Sequence, residues 1–332
     1  MARPLLTIML ALALLAVTWL RDTPAPPNFD NVLTITPLDL PSQRQKGPFT
    51  LVGLWQLTSP NKVFGGYSAL VRPSPGRLLA LSDRGTTLAF SAPGASPGPV
   101  VFARVLPVNS PYQRNRDVES AAWHADSGRM WLGIEGRGTL VRMRPGRAAE
   151  VVRDMPEWRR WGSNTGPEAM VRLSDGRFVV LCECRSGWFD GVNHPALIYH
   201  GDPAEGAAGQ AFTFAGAEGY RPTDMAELPD GRVLVVMRRL VWPAPARFAV
   251  KLMLADPDRI AAGKVWTGTE LADLGGPWPS ENYEALAIEE LGDGRIAAWI
   301  MSDENEAVSQ RVLLLRLEFS LFDLPPKQKA PG

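Results

Sequence analysis

The chain has 332 residues, enough for one large all-β domain or two ordinary domains. Its composition is that of a folded globular protein, with 45% hydrophobic and 21% charged residues. The formal net charge is zero, which gives no general attraction for nucleic acid or for a charged membrane surface. The 31 glycines and 30 prolines follow no collagen-like period and indicate a chain with many turns.

The N-terminal segment has the pattern of an export signal. Arg3 precedes an apolar run over residues 5–20, and charged residues follow it. We predict that residues 1–21 are a signal peptide or an uncleaved membrane anchor, since the run is short for a spanning helix and long for a cleaved signal. Both alternatives place the protein in the periplasm or elsewhere outside the cytoplasm. If the segment is an uncleaved anchor, residues 5–20 would lie in the inner membrane and would be the protein's only membrane contact.

Two polar segments flank the region that we expect to fold. Residues 22–46 are rich in Pro, Asp, Thr and Gln without periodicity, and we predict a linker there. Residues 323–332 have a similar composition and are predicted to be a frayed tail. The folded domain is therefore expected over residues 47–322.

A repeated hairpin runs through this domain. A Gly-Arg pair followed by an apolar strand recurs at intervals of 48 to 63 residues, at Gly76, Gly128, Gly176, Gly231 and Gly294. These intervals are close to the blade lengths of β-propellers. Two further strand-like segments follow the hairpin in most repeats, such as residues 139–143 and 149–153. Four strands for each repeat is the composition of a propeller blade.

The repeats predict an all-β fold, a β-propeller of five four-stranded blades. The last repeat is one strand short, and the segment 49–57 can supply the missing strand by pairing the two ends of the chain. Six blades are the alternative, because the long stretch 240–282 has room for an unmarked repeat. A large β-sandwich with similar hairpins is a further alternative, although it would not explain the matched acidic residues described next.

Acidic residues occupy matching positions in the repeats. In a propeller the innermost strand begins, and the second strand ends, at the same face, so these residues converge at one mouth of the central channel. The strand starts are marked by Ser68, Glu119, Glu168, Asp224 and Glu284. The strand ends are marked by Asp83-Arg84, Glu135, Glu183, Arg238-Arg239 and Asp303. Asn115, Asn164 and Asn282 precede the innermost strands and could add neutral oxygen ligands.

Such a ring of carboxylates predicts a cation site. Buried like charges are costly unless they are paired or bound to a cation, and oxygen ligands favour calcium or another hard divalent cation. We predict Asp83, Glu119, Asp224 and Asp303 as metal ligands and Glu168 and Glu284 as catalytic residues. Arg84, Arg238 and Arg239 are predicted to bind the anionic group of a substrate. The alternative is a scaffold in which the same acids pair with arginines and hold the blades together.

Other chemical signals are weak. The chain has two cysteines, Cys182 and Cys184, and we interpret them as free thiols or a labile pair. The His-Glu-x-x-His motif is absent from the sequence. His194 lies in a polar segment and is expected at the surface or the rim of the fold rather than acting as a base.

Several short motifs, in order, resemble the phytase-like family described as "esterase-like activity of phytase". The resemblance spans most of residues 48–320 and rests on segments beginning at Gly65, Leu81, Asp117, Asn164, Arg221, Met237, Asn282 and Ser302. It implies an exported bacterial β-propeller that acts as a phosphoesterase or esterase, with calcium dependence as a further expectation. The chain departs from the family pattern after the motif glutamates, where Ser120, Ala169 and Ala285 replace a common glycine.

Three functions are consistent with these observations. The first is a metal-assisted hydrolase of phosphate or carboxylic esters, whose partner is a small anionic ester. The second is a non-catalytic periplasmic binding or scaffold propeller with a structural cation. The third is a lactonase-type propeller acting on cyclic esters. In each case we expect a monomer.

Overall fold

The computed structural model describes residues 27–105, 117–136, 138–162, 165–187, 190–241, 247–304 and 310–327. The described residues form five β-sheets whose first strands neighbour one another in a closed ring. The fold is therefore a five-bladed β-propeller, as the repeat predicts. The predicted signal or anchor, residues 1–21, lies outside the described residues.

The strands follow the predicted order along the chain. Three precede the first complete blade: β1 (Thr34–Pro37), β2 (Gln45–Lys46) and β3 (Phe49–Thr58). Blade 1 contains β4 (Tyr67–Ser74), β5 (Arg77–Ser82), β6 (Thr86–Ser91) and β7 (Val101–Arg104). Blade 2 contains β8 (Val118–His124), β9 (Arg129–Ile134), β10 (Thr139–Met143) and β11 (Ala149–Asp154). Blade 3 contains β12 (Pro167–Arg172), β13 (Phe178–Cys182), β14 (Asn193–Tyr199) and β15 (Gly209–Ala215).

The stretch predicted as a possible sixth blade belongs to blades 3 and 4. The next strands are β16 (Arg221–Glu227), β17 (Val233–Val241), β18 (Arg247–Ala255), β19 (Val265–Thr267) and β20 (Thr269–Asp273). Blade 4 uses all of these except β19, which pairs in parallel with β15 at the outer edge of blade 3. The six-blade alternative is therefore excluded for the described residues.

Blade 5 closes the ring with strands from both ends of the chain. It consists of β21 (Asn282–Gly292), β22 (Arg295–Asp303) and β23 (Val312–Ser320), with β3 paired antiparallel to β23. This pairing confirms the predicted closure and covers the edge that β23 would otherwise expose. Strands β1 and β2 then add to β3.

Both predicted flexible segments are partly ordered. Part of the predicted linker 22–46 forms β1 and β2, because β3 offers them a free edge that no local pattern in residues 22–46 reveals. Part of the predicted tail 323–332 packs on the propeller: Leu324 is buried, and Lys327 Nζ lies 3.0 Å from Asp258 Oδ2. Residues 328–332 lie outside the described residues.

The repeated Gly-Arg turn has the backbone conformation that requires glycine. The five glycines of these turns have φ between 61° and 92°. The arginine that follows is used for local contacts, as with Arg177, which lies 2.7 Å from Asp258, and Arg295, which lies 3.1 Å from Glu318. These pairs are structural contacts away from the channel mouth.

Apolar layers between neighbouring blades form the core. Five clusters of buried side chains each join two adjacent blades around the ring. Polar contacts also link the innermost strands: the Ser68 hydroxyl donates to the Val118 carbonyl, and the Ser120 hydroxyl donates to the Pro167 carbonyl. The blades are therefore held in a rigid ring around the channel.

Helices contribute little to the described part of the fold. The described residues contain short 3₁₀ helices at Trp158–Trp161, Pro203–Glu205, Pro257–Arg259 and Leu321–Asp323. Within the described ranges, we find no helix with the length and apolar character needed to cross a membrane.

Candidate functional site at the channel mouth

The first strand of every blade contains a β-bulge at the same point. In each case one residue is skipped in the pairing with the second strand, and these residues are Ser68, Glu119, Glu168, Thr223 and Glu284. A bulge re-aims a side chain and is common beside active sites. Three of the five blades thus place a glutamate at the equivalent position. The charges of Glu168 and Glu284 both raise the pKa of Glu119, as expected for side chains that face the same channel mouth.

A second set of charged residues lies where the second strands end. Main-chain pairing with the start of each first strand places these residues at equivalent positions: Asp83, Glu135, Glu183, Arg238 and Asp303. The set contains four acids and one arginine. Together with the bulged glutamates and Asp117, they form the carboxylate cluster, defined here as Asp83, Asp117, Glu119, Glu135, Glu168, Glu183, Glu284 and Asp303.

Arg238 is the main cation among these acids. Its Nη2 lies 2.9 Å from Glu284 Oε1 and 3.4 Å from Glu183 Oε1, and its Nη1 donates to Asn282 Oδ1 at 3.1 Å. Asn282 in turn donates to Glu284 Oε1 at 2.8 Å. Arg238 therefore joins residues of blades 3, 4 and 5, and one side of the cluster is compensated in charge.

The opposite side of the cluster is rich in uncompensated carboxylates. Oxygen atoms of Asp117, Glu119 and Glu135 all lie within 4.8 Å of one another. Glu168 is buried, and its carboxylate makes no hydrogen bond to any residue in the described ranges. This arrangement offers several oxygen ligands at one point, which is the ligand chemistry that calcium prefers.

Burial and mutual repulsion raise the pKa values of these acids. Burial raises the pKa of Glu119, and the nearby Glu168 and Asp117 raise it further. Burial and Glu183 raise the pKa of Glu168, although Arg238 opposes the change. The pKa of Glu284 is also raised by burial, with Arg238 and Asn282 acting in the opposite direction. Burial and Asp117 raise the pKa of Glu135 to about 7.

Glycines allow the acids to approach the backbone. Gly66 has φ +68°, and a Cβ there would lie 2.2 Å from Asp83 Oδ1. A Cβ on Gly65 would overlap Glu304, whose carboxylate accepts from the Gly66 N–H at 3.2 Å. A Cβ on Gly166 would lie 2.8 Å from Glu135 Cγ. Glycine at positions 65, 66 and 166 therefore leaves room for the acidic side chains that pack against the backbone there.

Most of the predicted site residues are brought together by the fold. Asp83, Glu119, Glu168, Glu284 and Asp303 are all in the cluster, with Arg238 among them. Arg84 lies at the edge, with Nη2 3.4 Å from Glu304 Oε1. Asn282 is present as expected, whereas Asn115 and Asn164 lie outside the described residues.

Asp224 and Arg239 are not part of the cluster. Comparison of the repeats in the sequence places Asp224 at the same position as Glu119, Glu168 and Glu284. In the structure Thr223 is the bulged residue of blade 4, so Asp224 lies one residue beyond that position. Its two oxygens accept the backbone N–H groups of Met225 and Leu286, which joins blade 4 to blade 5. The Arg239 guanidinium lies 4.6 Å from the ring centre of Tyr220, on the exposed side of the same hairpin.

Other residues differ from the sequence predictions or were not predicted. Neither Asp117 nor Arg221 is among the predicted site residues, although each begins a segment that resembles the phytase-like family. Arg221 lies 3.3 Å from Glu183. His194 is fully buried, contrary to the predicted rim position, and its Nδ1 lies 2.8 Å from the Cys184 carbonyl oxygen. Cys182 and Cys184 form a disulfide bond.

A cavity of about 370 Å³ lies at the other end of the channel. Its lining includes Leu70, Met170, Met225 and Leu286 from the innermost strands, with Trp123 near its mouth. None of the eight cluster acids lines it. The carboxylate cluster is therefore confined to one mouth, while Arg72, Arg172, Glu227 and Glu290 line the cavity at the other end.

The chain matches one protein-family model, described as "Phytase-like: Esterase-like activity of phytase", over residues 62–306. No curated protein sequence matches it. The match includes every acid of the carboxylate cluster.

Solved structures that resemble the chain include several propellers at low identity. A hypothetical protein from Leishmania major is 11% identical with a TM-score of 0.44, covering 77% of this chain and 86% of that one. A luciferin-regenerating enzyme is 8% identical with a TM-score of 0.42, covering 76% and 92%. The Cps50 (Swd1) β-propeller domain of Myceliophteria thermophila is 10% identical with a TM-score of 0.38, covering 85% and 99%. Similarity at this level gives no basis for transferring a function.

Proposed function

Because this chain belongs to the phytase-like family, we propose that it is a metal-assisted hydrolase of phosphate or carboxylic esters that acts at the carboxylate cluster. The observation that carries the proposal is the composition of the channel mouth. Three acids with oxygens within 4.8 Å of one another lie beside the buried Glu168 and the partly buried Glu284, and Arg238 pairs with Glu284.

The acids fit a hard divalent cation such as calcium. Asp117, Glu119 and Glu135 would hold it, with Asp83 beside Asp117, and Glu168 supplies a further buried carboxylate without a hydrogen-bond partner in the described residues. Asp303, which acts electrostatically on Arg238, is a more distant member of the set. When bound, the cation would polarise a phosphoryl or carbonyl oxygen and neutralise developing negative charge.

The remaining residues suit substrate binding and proton transfer. Arg84 and Arg238 would hold the anionic group, since guanidinium groups bind phosphate and carboxylate through paired hydrogen bonds. Glu284 Oε1 accepts a hydrogen bond from Asn282 and lies 2.9 Å from Arg238 Nη2. Burial raises the pKa of Glu284 and of Glu168, which is the direction that favours the protonated form needed by a general acid.

A substrate panel tests this proposal. The purified protein is assayed with 4-nitrophenyl phosphate, 4-nitrophenyl acetate and a simple lactone, with calcium and with a chelator. We expect calcium-dependent turnover of at least one ester. Glu284→Gln and Glu168→Gln should each lower kcat about 100-fold, whereas Glu290→Gln, an exposed residue on the same strand as Glu284, should not. Equal activity in all variants would contradict the proposal, and turnover of the lactone alone would indicate a lactonase.

A non-catalytic propeller with a structural cation is the second candidate. It is favoured by the contacts of Arg238, which already joins Glu183 and Glu284 of two other blades. This function predicts that calcium raises the melting temperature while no ester or lactone is hydrolysed. Turnover that depends on Glu284 would exclude it.

We also propose that the protein works outside the cytoplasm. Support comes from the apolar run over residues 5–20 and from the Cys182–Cys184 disulfide, because disulfides persist mainly in oxidising compartments. Fractionation of cells that express the full chain tests this, and recovery in the cytosol would contradict it.

A further inference from the structure

The Cys182–Cys184 disulfide encloses a residue of the carboxylate cluster. Cys182 is the last residue of β13, and only Glu183 separates it from Cys184. Glu183 lies at the strand-end position shared by Asp83, Glu135 and Asp303. The smallest covalent loop of the described chain therefore surrounds one of the acids at the channel mouth.

The two sulfur atoms have different surroundings. Cys182 is fully buried, whereas Cys184 is partly exposed. The Cys184 N–H lies 3.1 Å from Cys182 Sγ and donates toward it. Burial limits access to Cys182 Sγ, whereas Cys184 is open to solvent in part. An incoming thiolate is therefore expected to attack Sγ of Cys184.

The enclosed residue is held by contacts with the next blade. Glu183 Oε1 lies 3.3 Å from Arg221 and 3.4 Å from Arg238, both on blade 4. On the other side, His194 Nδ1 lies 2.8 Å from the Cys184 carbonyl oxygen. The disulfide and these contacts fix the same three residues, so opening one is expected to weaken the other.

We propose that Cys182–Cys184 is a reducible modification site, and that its thiol–disulfide exchange with a dithiol releases Glu183 from Arg238. The first thiolate of the dithiol bonds to Sγ of Cys184, and the Cys182 thiolate leaves. The second thiolate attacks the dithiol's own sulfur in this mixed disulfide, which releases Cys184 as a thiolate. The protein disulfide gains two electrons, the dithiol is oxidised to a disulfide, and its two protons end on the cysteines.

Alkylation tests whether the bond is open to exchange in the folded protein. The full chain is incubated with dithiothreitol without denaturant, quenched with iodoacetamide and analysed by peptide mass spectrometry, with circular dichroism confirming the fold. We expect both cysteines to be alkylated while the spectrum is unchanged. Alkylation that occurs only after unfolding would overturn the proposal.

The coupling to Glu183 is tested by the redox equilibrium. The fraction of disulfide is measured across ratios of reduced to oxidised dithiothreitol for the native chain, Glu183→Gln and Arg238→Gln. Losing the ion pair should favour the dithiol in both variants, by about fivefold in the equilibrium constant. Arg239→Gln, which stacks on Tyr220 away from Glu183, is the control and should not shift it.

The two variants distinguish the ion pair from a simple effect of local charge. Glu183→Gln removes a negative charge and Arg238→Gln removes a positive one, so a local charge effect would shift the equilibrium in opposite directions. Opposite shifts, or none, would overturn the coupling. If Arg238→Gln fails to fold, Glu183→Gln alone tests the coupling. A shift of its equilibrium toward the disulfide, or no shift, would overturn the coupling.

This inference rests on the proposed function only in taking the cluster as the functional site. Alkylation and the redox equilibrium use neither calcium nor ester hydrolysis. A reducible, coupled disulfide in a protein without turnover would therefore leave this inference standing while the hydrolase proposal falls.

Discussion

At the scale of single residues, one position separates a cluster acid from a structural acid. Thr223 and Asp224 are neighbours, and the bulge directs only the first toward the position used by Glu168 and Glu284. Asp224 instead accepts two backbone N–H groups between blades. Composition at strand starts predicts that acids gather here, but it does not predict where a bulge shifts the face of the strand.

Asp224→Asn should therefore reduce stability and leave cation binding intact. The amide places an NH₂ group against a backbone donor, which costs about 1–3 kcal/mol of unfolding free energy. Urea denaturation measures the cost, and calorimetric titration with calcium measures binding. Weakened calcium binding with unchanged stability would instead place Asp224 among the ligands.

Gly66→Ala should disturb the cluster beyond its effect on the backbone. A Cβ at Gly66 would lie 2.2 Å from Asp83 Oδ1, whereas Gly94, also at positive φ, has no atom within 4 Å of its added Cβ. Gly94→Ala is therefore a matched control for the left-handed backbone, at about 1–2 kcal/mol. Gly66→Ala should lower the melting temperature further, and equal effects of both substitutions would contradict a close approach of Asp83.

The pKa of Glu135 predicts how the stability of the cation-free protein changes with pH. The pKa rises from 4.5 to about 7 on folding, so the folded protein binds this proton more tightly than the unfolded chain. Stability should fall as pH rises through this window and remain lower above pH 7. With solvent screening, the contribution is about 1–2 kcal/mol.

Glu135→Gln isolates this contribution. Denaturation at pH 5 and pH 8 in the presence of a chelator should show a smaller loss of stability in the variant than in the native chain. The same loss in both proteins would show that Glu135 does not carry a raised pKa.

At the scale of elements, local patterns predict the hairpins and long-range pairing decides the edges. The glycines of the Gly-Arg turns have the positive φ values that a tight turn needs, so the five blades could be predicted from sequence. Strand β1 could not, because Thr34–Pro37 is a short, mostly exposed segment whose pairing depends on the edge of β3. For the same reason the packing of Leu324 and Lys327 was not predicted.

Truncations separate the closing strand from the strands added to it. A chain beginning at residue 48 keeps β3 and should fold with a moderately lower melting temperature. A chain beginning at residue 60 loses β3, including the buried Phe49 and Leu51, and leaves β23 as an open edge. It should aggregate or unfold, as size-exclusion chromatography and circular dichroism would show. A monomeric, cooperatively folded product would contradict the role of the closure.

At the scale of the whole molecule, the topology predicts a site that no catalytic motif marks. Strand starts and strand ends meet at one mouth because every blade repeats the same order, and this placed seven of the eight cluster acids there from sequence. Finer geometry decides which other charges meet there: Asp117 belongs to the cluster and Arg221 lies 3.3 Å from Glu183, whereas Asp224 and Arg239 lie outside it. Conformations of single side chains at strand ends are set by neighbouring blades and cannot be read from one repeat.

Calcium titration calorimetry of the native chain and Glu119→Gln, with Glu290→Gln as the control, tests the central claim most directly. The account predicts calcium binding in the native chain and in Glu290→Gln, with a dissociation constant of about 1 mM or lower. Affinity should fall at least about tenfold in Glu119→Gln, because one carboxylate of the Asp117, Glu119 and Glu135 group is lost. The absence of binding to the native chain, or equal affinity in all three proteins, would contradict a cation site at the channel mouth.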